Sequence, residues 1–111
     1  MKQDDKSTSV AQLKSSIQAF CEERKWDPYH TPKDLAIGLV TEGSELLEIF
    51  RFVAEGDLPA LMETAEARAA IADELADSLF FVLRFSQLYG FDLAECLAQK
   101  LVKNAKKYPA R

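Results

Sequence analysis

The sequence predicts an all-α fold, a four-helix bundle-like protomer that assembles into a homo-oligomer. Three observations point there. Apolar residues recur at helical rather than alternating spacing in four segments. Helix start and stop signals fall between those segments, and no stretch carries the period of a strand. One segment is apolar on nearly every side, so it must be covered on every side.

Residues 1–8 are polar and are expected to form a flexible N-terminus, leaving 9–109 as a single domain. Ser9 followed by Gln12 is a capping box, and Val10, Leu13, Ile17 and Phe20 continue from it at helical spacing to about Lys25. Trp26-Asp27-Pro28-Tyr29-His30 is a loop. Thr31, Pro32 and Asp34 are an N-cap, a first-turn proline and a first-turn acid, which open a second helix expected to end near Gly56. A short helical turn is expected after Leu58-Pro59. A third, long helix runs from about Ala65 to Tyr89, where Gly90 stops it. Asp92 with Glu95 opens a last helix that ends before Tyr108-Pro109.

In the third helix Leu79, Phe80, Phe81, Val82, Leu83 and Phe85 leave almost no polar face. A bundle of 111 residues has too little substance to cover such a helix alone, so third helices are expected to pack across a homodimer interface. The net charge of −4 excludes a nucleic-acid polymer or an anionic membrane surface as partner. Cys21 and Cys96 lack both disulfide-framework and metal-type spacing, which fits a reducing compartment, and both are expected to be ordinary buried thiols. The start of the chain lacks a secretory apolar core, and the longest apolar run, Leu79 to Leu83, is too short to cross a bilayer. The expectation is a soluble, cytoplasmic protein.

The informative feature is where certain acids fall. With about 100° per residue, Leu35, Leu39, Leu46, Ile49, Phe50 and Val53 define the buried stripe of the second helix. Glu42 lies in the middle of that stripe and Glu45 on its edge, whereas Glu48 points away. In the third helix Glu74 and Asp77 fall inside or beside the apolar arc, and Asp73 faces solvent. Acids three residues apart share a helical face, so each inward pair is mutually repulsive and loses hydration unless something compensates. For one pair alone, salt-bridged acids on an amphipathic helix are the better account; two inward pairs shift the balance towards a bound cation. Oxygen ligands select Mg²⁺ or Mn²⁺, and the single histidine, His30, argues against zinc and against a di-iron bundle.

Glu42-x-x-Glu45, residues 46–73, then Glu74-x-x-Asp77 resembles the metal-binding signature of the MazG-like nucleotide pyrophosphohydrolases, in particular their short dCTP pyrophosphatase branch. Glu42-Gly-Ser-Glu45-Leu-Leu-Glu48 and Asp73-Glu74-Leu-Ala-Asp77-Ser-Leu-Phe-Phe-Val-Leu83 are similar to that family's two central helices, and Lys100-x-x-x-Asn104-x-x-Lys107-Tyr108-Pro109 to its C-terminal signature. The likeness covers residues 10–109. It implies a homo-oligomer, dimer or tetramer, in which Glu42, Glu45, Glu74 and Asp77 hold Mg²⁺ against a nucleoside triphosphate. Water then attacks phosphorus with Glu42 or Glu45 as base, and pyrophosphate leaves.

The resemblance also implies that Trp26, His30 and Phe52 shape a nucleoside pocket, Phe52 standing where those relatives often carry tryptophan. Lys33-Asp34 stands where they tend to carry Arg-Asn. Lys100, Lys103 and Lys107 would hold phosphate oxygens, although cations near a helix C-terminus also complement its dipole. Trp26 could instead cap the core from its loop, and Asn104 and Tyr108 could bind sugar or phosphate or simply pack a helix end. The expected function is removal of dCTP or related non-canonical pyrimidine deoxynucleotides, a house-cleaning role. The contrasting expectation is a non-enzymatic helical module that holds a protein partner on its acidic face.

Overall fold

A computed structural model describes residues 3–111, and Met1 and Lys2, the start of the expected flexible segment, lie outside the described residues. Helices α1 (Val10–Glu23), α2 (Pro32–Phe50), α3 (Leu58–Met62), α4 (Ala65–Tyr89) and α5 (Leu93–Lys107) follow one another, with no strand among the described residues. None of these helices is long and apolar enough to cross a membrane.

Local chemistry explains where they start and stop. The Ser9 hydroxyl accepts from the Gln12 amide while the Gln12 side chain accepts from the Ser9 amide, the reciprocal arrangement read from the sequence. Thr31, Thr64 and Asp92 cap α2, α4 and α5 in the same way, each accepting from an amide three residues on. Gly90 ends α4 at φ 75°, a left-handed conformation that costs glycine nothing.

One boundary differs from expectation. The second helix stops at Phe50 instead of near Gly56; Ala54 is extended, and a 3₁₀ turn at Glu55–Asp57 leads directly into α3. Most helical stability comes from packing one face, and Phe52 is 85% exposed, so a further turn would have had nothing to rest on. The helical turn expected after Leu58-Pro59 is present as α3.

The core is built on α4. It packs principally along α2 and, less extensively, along α1, while α5 departs beyond Gly90 and packs only sparsely on the rest. Few side chains are fully buried: Cys21, Leu35, Ala67 and Leu83 among the apolar ones, Arg84 and Ser86 among the polar. The radius of gyration is 16.8 Å, against about 13 Å for a closed domain of this length. Cys96 corrects the expectation of two buried thiols: Cys21 is sealed between α1 and α4, but Cys96 is exposed because it sits on the loosely packed α5.

Candidate functional site

Because α2 lies along α4, the inward acids of the two helices meet. One carboxylate oxygen each from Glu42, Glu45 and Glu74 lies within 4.8 Å of the others. Glu42 and Glu74 are half-buried and Glu45 is exposed; Glu42 Oε2 and Glu74 Oε2 are themselves shielded from water without any hydrogen-bond partner, as is the Ser78 hydroxyl one residue beyond Asp77. Asp77, also exposed, stands close enough for its charge to act on Glu42 and Glu74. The outward acid behaves differently, since Glu48 pairs with Arg51 at 3.1 Å on the open surface.

Crowding of like charges raises the affinity of these groups for protons. Glu42 is raised to about 7, first because Glu45 can accept a hydrogen bond from it when protonated, then through burial, then through Glu74 and the charges of Glu45 and Asp77. Glu74 is raised too, with burial as the leading cause and the nearby charges of Glu45 and Asp77 adding to it. Lone pairs that lack both water and donor, in a cluster that otherwise takes up protons, are what a hard cation satisfies, so the residues present fit Mg²⁺ or Mn²⁺.

Beside the cluster opens a cavity of about 510 Å³, lined by Ser16, Ile17, Phe20, Trp26, Glu42, Asp77, Phe80 and Phe81. Its rings meet edge to face: Trp26 with Phe20 at 5.6 Å between centroids, Phe20 with Phe80 at 6.3 Å, Phe80 with Phe81 at 5.4 Å. Gly38 on α2 lets Phe81 in, since a Cβ there would stand 2.3 Å from Phe81 Cε1.

Trp26 owes its position to the end of α1. Lys25 takes φ 57°, the Lys25 amide donates to Glu22 O and the Trp26 amide to Cys21 O at 3.0 Å, so the chain reverses and sets Trp26 back against Phe20. His30 touches Trp26 edge to face, 5.9 Å between centroids, but does not line the cavity; its Nδ1 accepts a hydrogen bond from Arg84 on α4.

Of the remaining residues expected at the site, Phe52 is not brought to it; it lies under the Arg51 guanidinium at 4.9 Å on the exposed turn after α2. Lys100, Lys103, Asn104, Lys107 and Tyr108 ride on or just beyond α5 and do not line the cavity of the same chain. Phe20, Phe80 and Phe81 were not foreseen in the cavity, nor Asp27 and Arg84 in the support of its Trp26–His30 loop. A lone arginine within the apolar run of α4 was a legible sign of a buried charge, though it could not name the partner.

The model of the MazG-like family matches residues 39–111. Among curated relatives, human dCTP pyrophosphatase 1 is 32% identical over 91 residues, covering 82% of this chain and 54% of the relative, and the Rattus norvegicus protein of the same name is 30% identical over 90 residues, covering 81% and 53%. The chain thus spans about half the length of the curated relatives it matches. Among solved structures, a pyrophosphatase from Archaeoglobus fulgidus superimposes with a TM-score of 0.81 at 29% identity, covering 98% of this chain and 100% of that one.

Proposed function

We propose that this chain, which belongs to the MazG-like family, is a Mg²⁺-dependent nucleoside triphosphate pyrophosphohydrolase acting on dCTP or a related pyrimidine deoxynucleotide. The observation that carries the reading is the meeting of unpaired carboxylates with the mouth of an aromatic cavity: Glu42 belongs to both, and Asp77 lines the cavity beside it. The names of the relatives, a dCTP pyrophosphatase and a pyrophosphatase, agree with it.

In this reading Glu42, Glu45, Glu74 and Asp77 hold the cation, and the base stacks among Trp26, Phe20 and Phe80 with the triphosphate directed at the acids. A bound Mg²⁺ supplies charge neutralisation on the phosphates and a lowered pKa for a coordinated water. Glu42 or Glu45 takes the proton of the attacking water as its oxygen bonds to the α-phosphorus. The bond from that phosphorus to the bridging oxygen breaks, and pyrophosphate departs with the electron pair, leaving the monophosphate.

The working unit in this proposal is a homo-oligomer, dimer or tetramer. Support comes from the extended shape and from the exposure of large apolar groups such as Leu79, Leu97 and Leu101. Lys100, Asn104, Lys107 and Tyr108 would then reach the triphosphate from a neighbouring protomer.

The test is pyrophosphate release from a panel of canonical and modified nucleoside triphosphates with Mg²⁺, Mn²⁺ or EDTA. Metal-dependent release from one or a few pyrimidine deoxynucleotides is expected. Silence across the panel from folded protein, with no thermal stabilisation by Mg²⁺ plus nucleotide, would transfer the case to a helical protein-binding module.

A further inference from the structure

We infer that Arg84 is a positioning residue that fixes the Trp26–His30 loop and thereby the aromatic wall of the nucleoside pocket, an inference that rests on the pocket reading above. Arg84 is 0% exposed yet belongs neither to the acid cluster nor to the cavity. All three faces of its guanidinium fork are used. Nε donates to His30 Nδ1 at 2.9 Å, Nη1 to Gln87 Oε1 at 2.6 Å, and Nη2 to Asp27 Oδ1. Two of these partners flank the loop whose first residue is Trp26, and Tyr89 closes the arrangement by donating to the His30 carbonyl at 2.8 Å. One side chain of α4 thus pins both ends of the loop to the helix that carries Glu74 and Asp77.

The hydrogen bonds also fix a tautomer. An arginine only donates, so His30 Nδ1 must accept, and its proton resides on Nε2. Burial first and the Arg84 charge second hold the imidazole below its ordinary pKa, which keeps it neutral. The ring that touches Trp26 is therefore an oriented, uncharged N–H donor. Lysine cannot replace this function, because a point charge cannot serve three partners in one plane.

Trp26 is the chain's single tryptophan, so its emission reports the wall directly. The experiment measures, for wild type, Arg84→Met and Asp27→Asn, the iodide quenching of Trp26 in ligand-free protein, the emission change on adding dCMP, and kcat and KM for dCTP with Mg²⁺. Asp27 has a half-exposed side chain, so Asp27→Asn retains a folded comparison should Arg84→Met not fold.

Both variants should show greater Trp26 quenching, with KM raised about tenfold in Arg84→Met and about threefold in Asp27→Asn, and kcat within about twofold of wild type, a loss confined to binding. Wild-type quenching and KM in the folded variants, or kcat falling as far as KM rises, would overturn the role of Arg84 alone. A wild-type Trp26 that ignores dCMP while dCTP is still turned over would overturn the pocket reading and this inference with it.

Discussion

About three turns apart on α4, the protein buries charge in two different ways. Arg84 is fully enclosed and each of the three nitrogens of its fork donates to an acceptor, one of them an anion. Glu74, and Glu42 facing it from α2, are only half enclosed, yet each keeps an oxygen with no partner, among neighbours of the same sign. A buried polar group without a partner costs folding free energy of about 1–3 kcal/mol. The first region is compensated by the chain itself; the second is left for something from outside. That difference separates a charge compensated within the fold from charges that the proposed cation would compensate.

The largest effect that would break the comparison is chemical. Glu45→Gln should lower turnover by at least about a hundredfold, the upper end of what disturbing a metal's surroundings costs, with circular dichroism and melting temperature unchanged. Glu48→Gln should leave turnover near wild type, because Glu48 pairs with Arg51 on the surface. Equal losses in the two would remove the distinction between inward and outward acids.

Next in size is packing. Gly38→Ala brings a methyl to 2.3 Å from Phe81 Cε1, and the displaced ring should cost about 1–3 kcal/mol in urea unfolding, with KM raised because Phe81 lines the cavity. A neutral change would mean that the ring has another place to go.

The acids should also set a pH dependence. Folded Glu42 is raised from 4.5 to about 7, so between those values the native state binds more protons than the unfolded chain and metal-free stability falls as pH rises. Thermal melts in EDTA should show a decline through that window that Glu42→Gln flattens, and Mg²⁺ should stabilise wild type more at the alkaline end than at the acid end. A decline of the same size in Glu42→Gln would assign it to another group.

The smallest effect lies at the end of α1. Lys25 stands at φ 57° in a position that suits glycine; Lys25→Gly should stabilise by about 0.5–1 kcal/mol and leave Trp26 quenching unchanged.

What the sequence could reveal follows from the range of each interaction. Caps and periodicity are local, so Ser9, Thr31, Asp92 and Gly90 marked element ends that the structure reproduces. Helical phase is nearly as local, which is why Glu42, Glu45 and Glu74 could be separated from Glu48 before any packing was known. The partners of Arg84 were not legible, because Asp27 and His30 lie more than fifty residues earlier and only the seating of α1 and its loop on α4 brings them near. Cys96 departs from expectation for a related reason: a thiol side chain signals a preference for burial, and whether a neighbour arrives depends on α5 leaving the bundle.

The claim at the centre is that the acids of α2 and α4 form one cation site. Its most direct test is Mn²⁺ binding followed by electron paramagnetic resonance in wild type, Glu45→Gln, Glu74→Gln and Glu48→Gln, each shown to be folded. Binding that is strongly weakened in Glu45→Gln and in Glu74→Gln, one change on each helix, and preserved in Glu48→Gln is the predicted result. Equal binding by all four proteins would contradict the claim.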